Sequence, residues 1–140
     1  MTDNWMHEAF TVARMAHAGQ RDKQGRPALN HVVRVSAAGR TPDERVVGML
    51  HDVVEDSTIT VADLRAHGFP DHIVAAVDAI TRRKGDETYA EYIERVAGNP
   101  LARQVKLYDL EENMTRDGAW QFPSLVARYR KAKARLDGVR

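Results

Sequence analysis

Apolar residues recur at intervals of three and four along nearly the whole chain, the spacing of a single helix face. Phe10, Val12, Ala13, Met15 and Ala16 define a first amphipathic helix that Gly19 ends. The polar run "QRDKQGRPALN" reads as a loop with Gly25 and Pro27 as turn residues. Asn30 can then cap a second helix carrying His31, Val32, Val33, Val35 and Ala38. Thr41-Pro42-Asp43-Glu44 joins a capping residue, a first-turn proline and acids at the positive end of the dipole. The third helix starts there and is expected to run on into "GMLHDVVEDS". Thr60-Val61-Ala62-Asp63 resembles a capping box, and Pro70-Asp71 and Asn99-Pro100 mark further starts. "YAEYIERVA" is a helix stopped by Gly98, and "SLVARYRKAKARL" a final basic helix over about 124–136. No run alternates long enough to argue for a sheet. The pattern predicts an all-α fold, a single multi-helix domain over residues 1–140.

Composition narrows the classes without choosing among them. With 43% hydrophobic and 29% charged residues the chain is globular rather than disordered. No apolar run is long enough to span a membrane, and the N-terminus lacks the pattern of a secretory signal. The absence of cysteine excludes disulfides and thiolate metal sites and fits a cytoplasmic protein. A net charge of +1 gives no reason to expect nucleic-acid binding. A homo-oligomer is compatible with all of this.

Candidate chemistry begins in "GMLHDVVEDS", where His51, Asp52, Glu55 and Asp56 crowd into six positions beside an apolar face. On a continuous helix His51 lies over Glu55, and Asp52 over Asp56. One reading is a solvated helix end with a hydrogen-bonded core histidine. Against it, an acidic pair at a helix C-terminus opposes the dipole, and unpartnered buried charges cost several kcal/mol. A divalent cation would offset that cost, since imidazole and carboxylate are good ligands for Mn, Fe or Zn. Asp109 sits among Val105, Leu107 and Leu110, where an unpaired acid is hard to explain, and Asn113 falls one turn later on the same face.

Three blocks in order carry a family resemblance: "AHAGQRDKQGRPALNH" ending at His31, "GMLHDVVEDS", and "VKLYDLEENM" with Asp109 and Asn113. Over about residues 7–116 the chain resembles the HD superfamily of metal-dependent phosphohydrolases. More narrowly, it is similar to the hydrolase domain of the bifunctional guanosine-tetraphosphate enzymes and their small stand-alone relatives. The resemblance implies that His31, His51, Asp52 and Asp109 hold one divalent ion, manganese in most members. It implies that Glu55 and Asp56 orient or deprotonate the attacking water. Arg21 and Lys23 fall in the loop where the family uses a basic pair for the nucleotide, and Asn113 would sit beside its sugar or phosphate.

The chain departs from the family at three points that bear on nucleotide recognition and spare the metal positions. Asp22 stands where an arginine is usual, Ala28 where a tyrosine often follows the proline, and Leu110 where a basic residue follows the second aspartate. The expected activity is hydrolysis of a phosphorylated nucleotide, with guanosine tetra- or pentaphosphate losing its 3′-pyrophosphate as the leading candidate. Another phosphoester, or a metal-stabilised nucleotide-binding module without turnover, are the alternatives. At this length no room remains for a synthetase domain, so no alarmone synthesis is expected. Arg82-Arg83-Lys84 and the tail "RYRKAKAR" read as solvated charge, and Tyr89 and Tyr92 as packing residues.

Overall fold

Helix starts sit where short-range capping chemistry puts them. The computed structural model describes residues 2–139, so Met1 and Arg140 of the expected domain lie outside the described residues. Helix α1 covers Thr2–Ala16, α2 Leu29–Ala38 and α3 Pro42–Leu50. Thr41 caps α3 by accepting from the Glu44 N–H. A four-residue turn of helix, α4, follows over Val53–Asp56, then α5 over Val61–His67 and α6 over Asp71–Ile80. Thr60 and Asp63 satisfy each other's backbone N–H groups at the start of α5. Thr88 and Glu91 do the same for α7, Tyr89–Ala97. Asn99 caps α8, Pro100–Thr115, with Pro100 in the first turn. A 3₁₀ turn at Ala119–Gln121 leads into α9, Pro123–Asp137. Among the described residues there is no strand, only an isolated bridge between Arg21 and Pro27.

Two local expectations fail. Helix α2 begins at Leu29 with Ala28 in the cap position, so Asn30 is already inside the first turn and caps nothing. The third helix does not run through "GMLHDVVEDS" either: it ends at Leu50, and Asp52 has φ −104° and ψ −2°. The cause lies in the side chain of His51, whose Nδ1 donates to the Gly48 carbonyl at 2.6 Å. A continuing helix would use that carbonyl for the Asp52 N–H, and a side chain that competes for it loosens the turn.

Helix α8 is the axis of the molecule, touching α2, α3, α6, α7 and α9. Leu50, Val47, Val74, Val77, Val105 and Leu110 are fully buried around it. Each such side chain contributes about 1.5–3 kcal/mol on burial, so the frame of the site rests on the packing of these helices. Helices α2 and α3 approach closely at Gly48, where a Cβ would lie 3.0 Å from the Ser36 Cα and N. Any side chain there would force the backbones to part by a few tenths of an ångström. Among the described residues, no helix is long and apolar enough to cross a membrane.

Candidate functional site

The packing of α2, α3 and α8 brings together four side chains that are far apart in sequence. His31 comes from the first turn of α2, His51 and Asp52 from the break after α3, and Asp109 from the middle of α8. The two imidazole Nε2 atoms are 3.3 Å apart. Asp109 Oδ1 is 2.7 Å from His31 Nε2 and 3.2 Å from His51 Nε2. Asp52 Oδ2 is 3.7 and 3.4 Å from the same two nitrogens.

The outer nitrogens of both rings decide what the inner ones present. His51 Nδ1 faces the Gly48 carbonyl, and His31 Nδ1 faces Glu112 Oε1 at 2.5 Å. Both acceptors call for a proton on Nδ1, so in the neutral rings both Nε2 lone pairs point at each other and at two carboxylates. Four electron-rich atoms converging in a buried spot are compensated by a cation, either a proton on an imidazole or a metal ion. His31, His51 and Asp52 form a cluster able to hold a metal ion, and Asp109 reaches the same point. The donor set, two imidazoles and two carboxylates, fits a divalent first-row metal.

The same convergence sets the proton affinities. Burial pushes the His31 imidazole down, but hydrogen bonds to Asp109 and Glu112 and the charges of Asp109 and Asp52 lift it to about 9. Burial also opposes charge on His51, yet Asp52 and Asp109 raise it above its ordinary value. Burial would raise Asp109, but the Lys106 ammonium at 2.7 Å and the two rings hold it well below the usual carboxylate range.

Glu55 and Asp56 reach the same cavity from α4. The helix breaks before them, yet the Asp56 N–H bonds the Asp52 carbonyl at 3.0 Å, so Asp56 stays one turn after Asp52. Glu55 Oε1 accepts the Arg82 backbone N–H at 3.1 Å, which ties it to the end of α6, and Lys84 Nζ lies 3.8 Å from its other oxygen. Asp56 keeps an exposed outer face, while partial burial and the neighbouring charges of Asp52 and Glu55 push its carboxyl up to about 6. Asn113 also lines the cavity, with its amide N–H on Asp109 Oδ1 at 3.1 Å and its carbonyl on Arg116. Arg21 and Lys23 are exposed at the rim, and Arg21 donates to the Gly25 carbonyl at 2.9 Å.

The departures noted in the sequence take on different meanings. Asp22 closes its own loop, accepting from the Gln24 and Arg26 N–H groups, and lies 3.4 Å from Arg116 Nη1. Leu110 is fully buried in the core and away from the cavity, so its difference belongs to packing and not to recognition. Tyr92 is a packing residue as expected, its hydroxyl donating to the Ile80 carbonyl. Arg82 and Arg128, expected in solvent, are half-buried and line the cavity together with Tyr89.

Sequence reasoning passed over Glu112, Arg116 and Lys106. Glu112 orients His31, and Arg116 Nη2 holds Glu112 at 3.0 Å. Glu112, three residues after Asp109 on α8, and Arg116, seven after it and just past the end of that helix, follow helical spacing, which was the available signal. Lys106 is buried three residues before it.

No family model matches the chain. A GTP pyrophosphokinase of Streptomyces coelicolor is 31% identical over 121 residues, 78% of this chain and 14% of that protein. A guanosine-3′,5′-bis(diphosphate) 3′-pyrophosphohydrolase of Vibrio cholerae is 36% identical over 81 residues, 55% of this chain and 11% of the relative. The chain thus spans only a small fraction of the length of these curated relatives. A solved structure of a metazoan ortholog of SpoT, described as hydrolysing ppGpp and acting in starvation responses, superposes with a TM-score of 0.75. It is 26% identical, and the match covers 96% of this chain and 86% of that one. Fold and sequence together liken this all-α domain to the hydrolase domains of the HD type. Within that class its likeness is to the (p)ppGpp hydrolase-like domains of the RelA and SpoT enzymes.

Proposed function

We propose that this single domain is a metal-dependent phosphohydrolase of a phosphorylated nucleotide, with guanosine-3′,5′-bis(diphosphate) as its substrate and the 3′-pyrophosphate as leaving group. The observation that carries the reading is the convergence of His31, His51, Asp52 and Asp109 at a cavity of about 700 Å³ whose wall also presents Glu55 and Asp56. Manganese is the ion we assign to these four residues because the family resemblance implies it, and their mixed nitrogen and oxygen donors suit a divalent first-row metal. When bound, such an ion supplies a Lewis acid for a phosphoryl oxygen and brings the pKa of a water from about 15.7 towards 7.

The protein's own residues do the rest. Glu112 and the Gly48 carbonyl hold the Nδ1 protons of His31 and His51, so Nε2 faces inward on both rings. Asp56, pushed up to about 6, is a base matched to a proton near neutral pH. Glu55 shares that wall and is steadied by the Arg82 backbone. In the reaction the water oxygen bonds to phosphorus, its proton passes to the carboxylate pair, and the 3′ oxygen–phosphorus bond breaks, that proton going on to the 3′ oxygen to give GDP and pyrophosphate. Arg21, Lys23 and Asn113 take the nucleotide side.

One observation favours a different phosphoester: Asp22 occupies the position of the usual basic residue and is spent on loop closure and on Arg116. An assay separates the two. The purified protein is analysed for bound metal and then assayed on a phosphoester panel with Mn²⁺ and with EDTA. GDP plus pyrophosphate from guanosine-3′,5′-bis(diphosphate), abolished by EDTA, is the expected result. Orthophosphate from other nucleotides, with no reaction on this one, would overturn the assignment.

A further inference from the structure

Asp22 does more than vacate a basic position. Its Oδ1 accepts the Gln24 and Arg26 N–H groups at 2.9 and 3.0 Å, which closes the loop. Its Oδ2 takes no part in that closure and faces Arg116 Nη1 at 3.4 Å. From there a line of charge runs inward. Arg116 Nη2 lies 3.0 Å from Glu112 Oε1, and the same oxygen lies 2.5 Å from His31 Nδ1. The four side chains are only 9–11% exposed.

The order of these groups matters because two of them compete for His31 Nδ1. Glu112 Oε1 calls for a proton on that nitrogen, whereas Arg116 Nη2, 2.8 Å away, is a donor and would take its lone pair. Only the first arrangement leaves the neutral ring with an Nε2 lone pair for a metal. Asp22 draws one arm of Arg116 outward, while Glu112 and the Asn113 side-chain carbonyl hold the other. The guanidinium is thereby committed to acceptors other than the ring. The loop has a second tie to the same region, from Arg26 Nη1 to the Asp117 carbonyl at 3.1 Å, so its place does not hang on the ion pair alone.

We propose that Asp22 and Arg116 are positioning residues that act through Glu112 to hold His31 in the tautomer presenting Nε2 to the metal, and so set the affinity of the site for a divalent ion. An arginine at position 22 could not serve this way, since a second cation would push Arg116 back towards the ring. The inference rests on the metal reading of the four converging residues and needs no turnover.

Competitive chelator titration of the full chain with Mn²⁺ reads the effect. Asp22→Asn keeps the oxygen that closes the loop and turns the acceptor facing Arg116 into a donor. Mn²⁺ affinity is expected to fall about tenfold, the scale for a residue that orients a metal ligand. Arg116→Gln should lose as much, and Arg116→Lys, which keeps the charge but cannot span both carboxylates, should fall between. In a Glu112→Gln background Asp22→Asn should cost less than about a further twofold, because the path to His31 is already cut. Full affinity in Asp22→Asn, or an undiminished loss in the Glu112→Gln background, overturns the proposal. Wild-type protein that holds no Mn²⁺ overturns the metal reading and the proposal with it. Mn²⁺ that is held by wild type and weakened by Asp22→Asn, with no nucleotide turned over, removes the hydrolytic reading and leaves the proposal standing.

Discussion

At the inner end of the cavity every buried charge faces an opposite one: Asp109 meets Lys106 and two imidazoles, and Glu112 meets His31 and Arg116. At the outer end Arg82 and Arg128 share the ring of Tyr89 with no carboxylate between them. The inner end belongs to helices packed in the core. The outer end is assembled from the segment after α6, the start of α7 and the last helix, and its two guanidinium groups have no acidic partner among the described residues. The inner end thus gathers charges that the fold pairs, and the outer end charges that it leaves unpaired.

The sharpest way to break that contrast is to empty the inner end. Asp52→Ala removes one carboxylate from a half-exposed position without opening the core. It is expected to abolish metal retention, measured by elemental analysis, and to lower turnover by about 10³-fold or more, equivalent to several kcal/mol of transition-state stabilisation. Glu55→Gln and Asp56→Asn should keep the metal and lose about 10²–10⁴ in kcat, the range of general acid–base catalysis. Wild-type kcat with either variant would remove that residue from the proton path.

Smaller effects sharpen the comparison. Glu112→Gln leaves His31 in place but weakens the acceptor on its Nδ1, so metal affinity is expected to fall about 10–100-fold in a competitive chelator titration. The pH profile carries a gentler signature. Asp56 works ionised, and its carboxyl is pushed up to about 6, so kcat/KM should halve near pH 6 and fall further in acid. Asp56→Asn should remove that limb. Least of all, metal-free protein should lose stability as pH rises. His31 is raised from 6.5 to about 9, so its contribution is full below about 6.5 and gone above about 9. Melting curves should show that decline without metal and not with Mn²⁺.

How much of this was legible in the sequence depended on the range of each interaction. Caps draw on four neighbouring residues, so Thr41, the Thr60–Asp63 pair and Asn99 announced their helices. Periodicity likewise announced an all-α frame. The break after Leu50 escaped, because it depends on a ring bonded back to the Gly48 carbonyl while its other nitrogen faces His31 and Asp109, 20 and 58 positions away. Glu112 escaped for the same reason: its partner His31 is 81 positions distant. The exposed look of "TRRKG" and "RYRKAKAR" misled because Tyr89 gathers one residue from each, and no local pattern records a ring shared by two segments.

Gly48 has a consequence beyond packing. It lets two backbones touch, one carrying His31 and the other His51, and it supplies the carbonyl that orients the second ring. The caliper that sets the distance between the two imidazoles is therefore main chain against main chain. A methyl group at this position would force the Ser36 backbone to give by a few tenths of an ångström, and the gap between the rings with it.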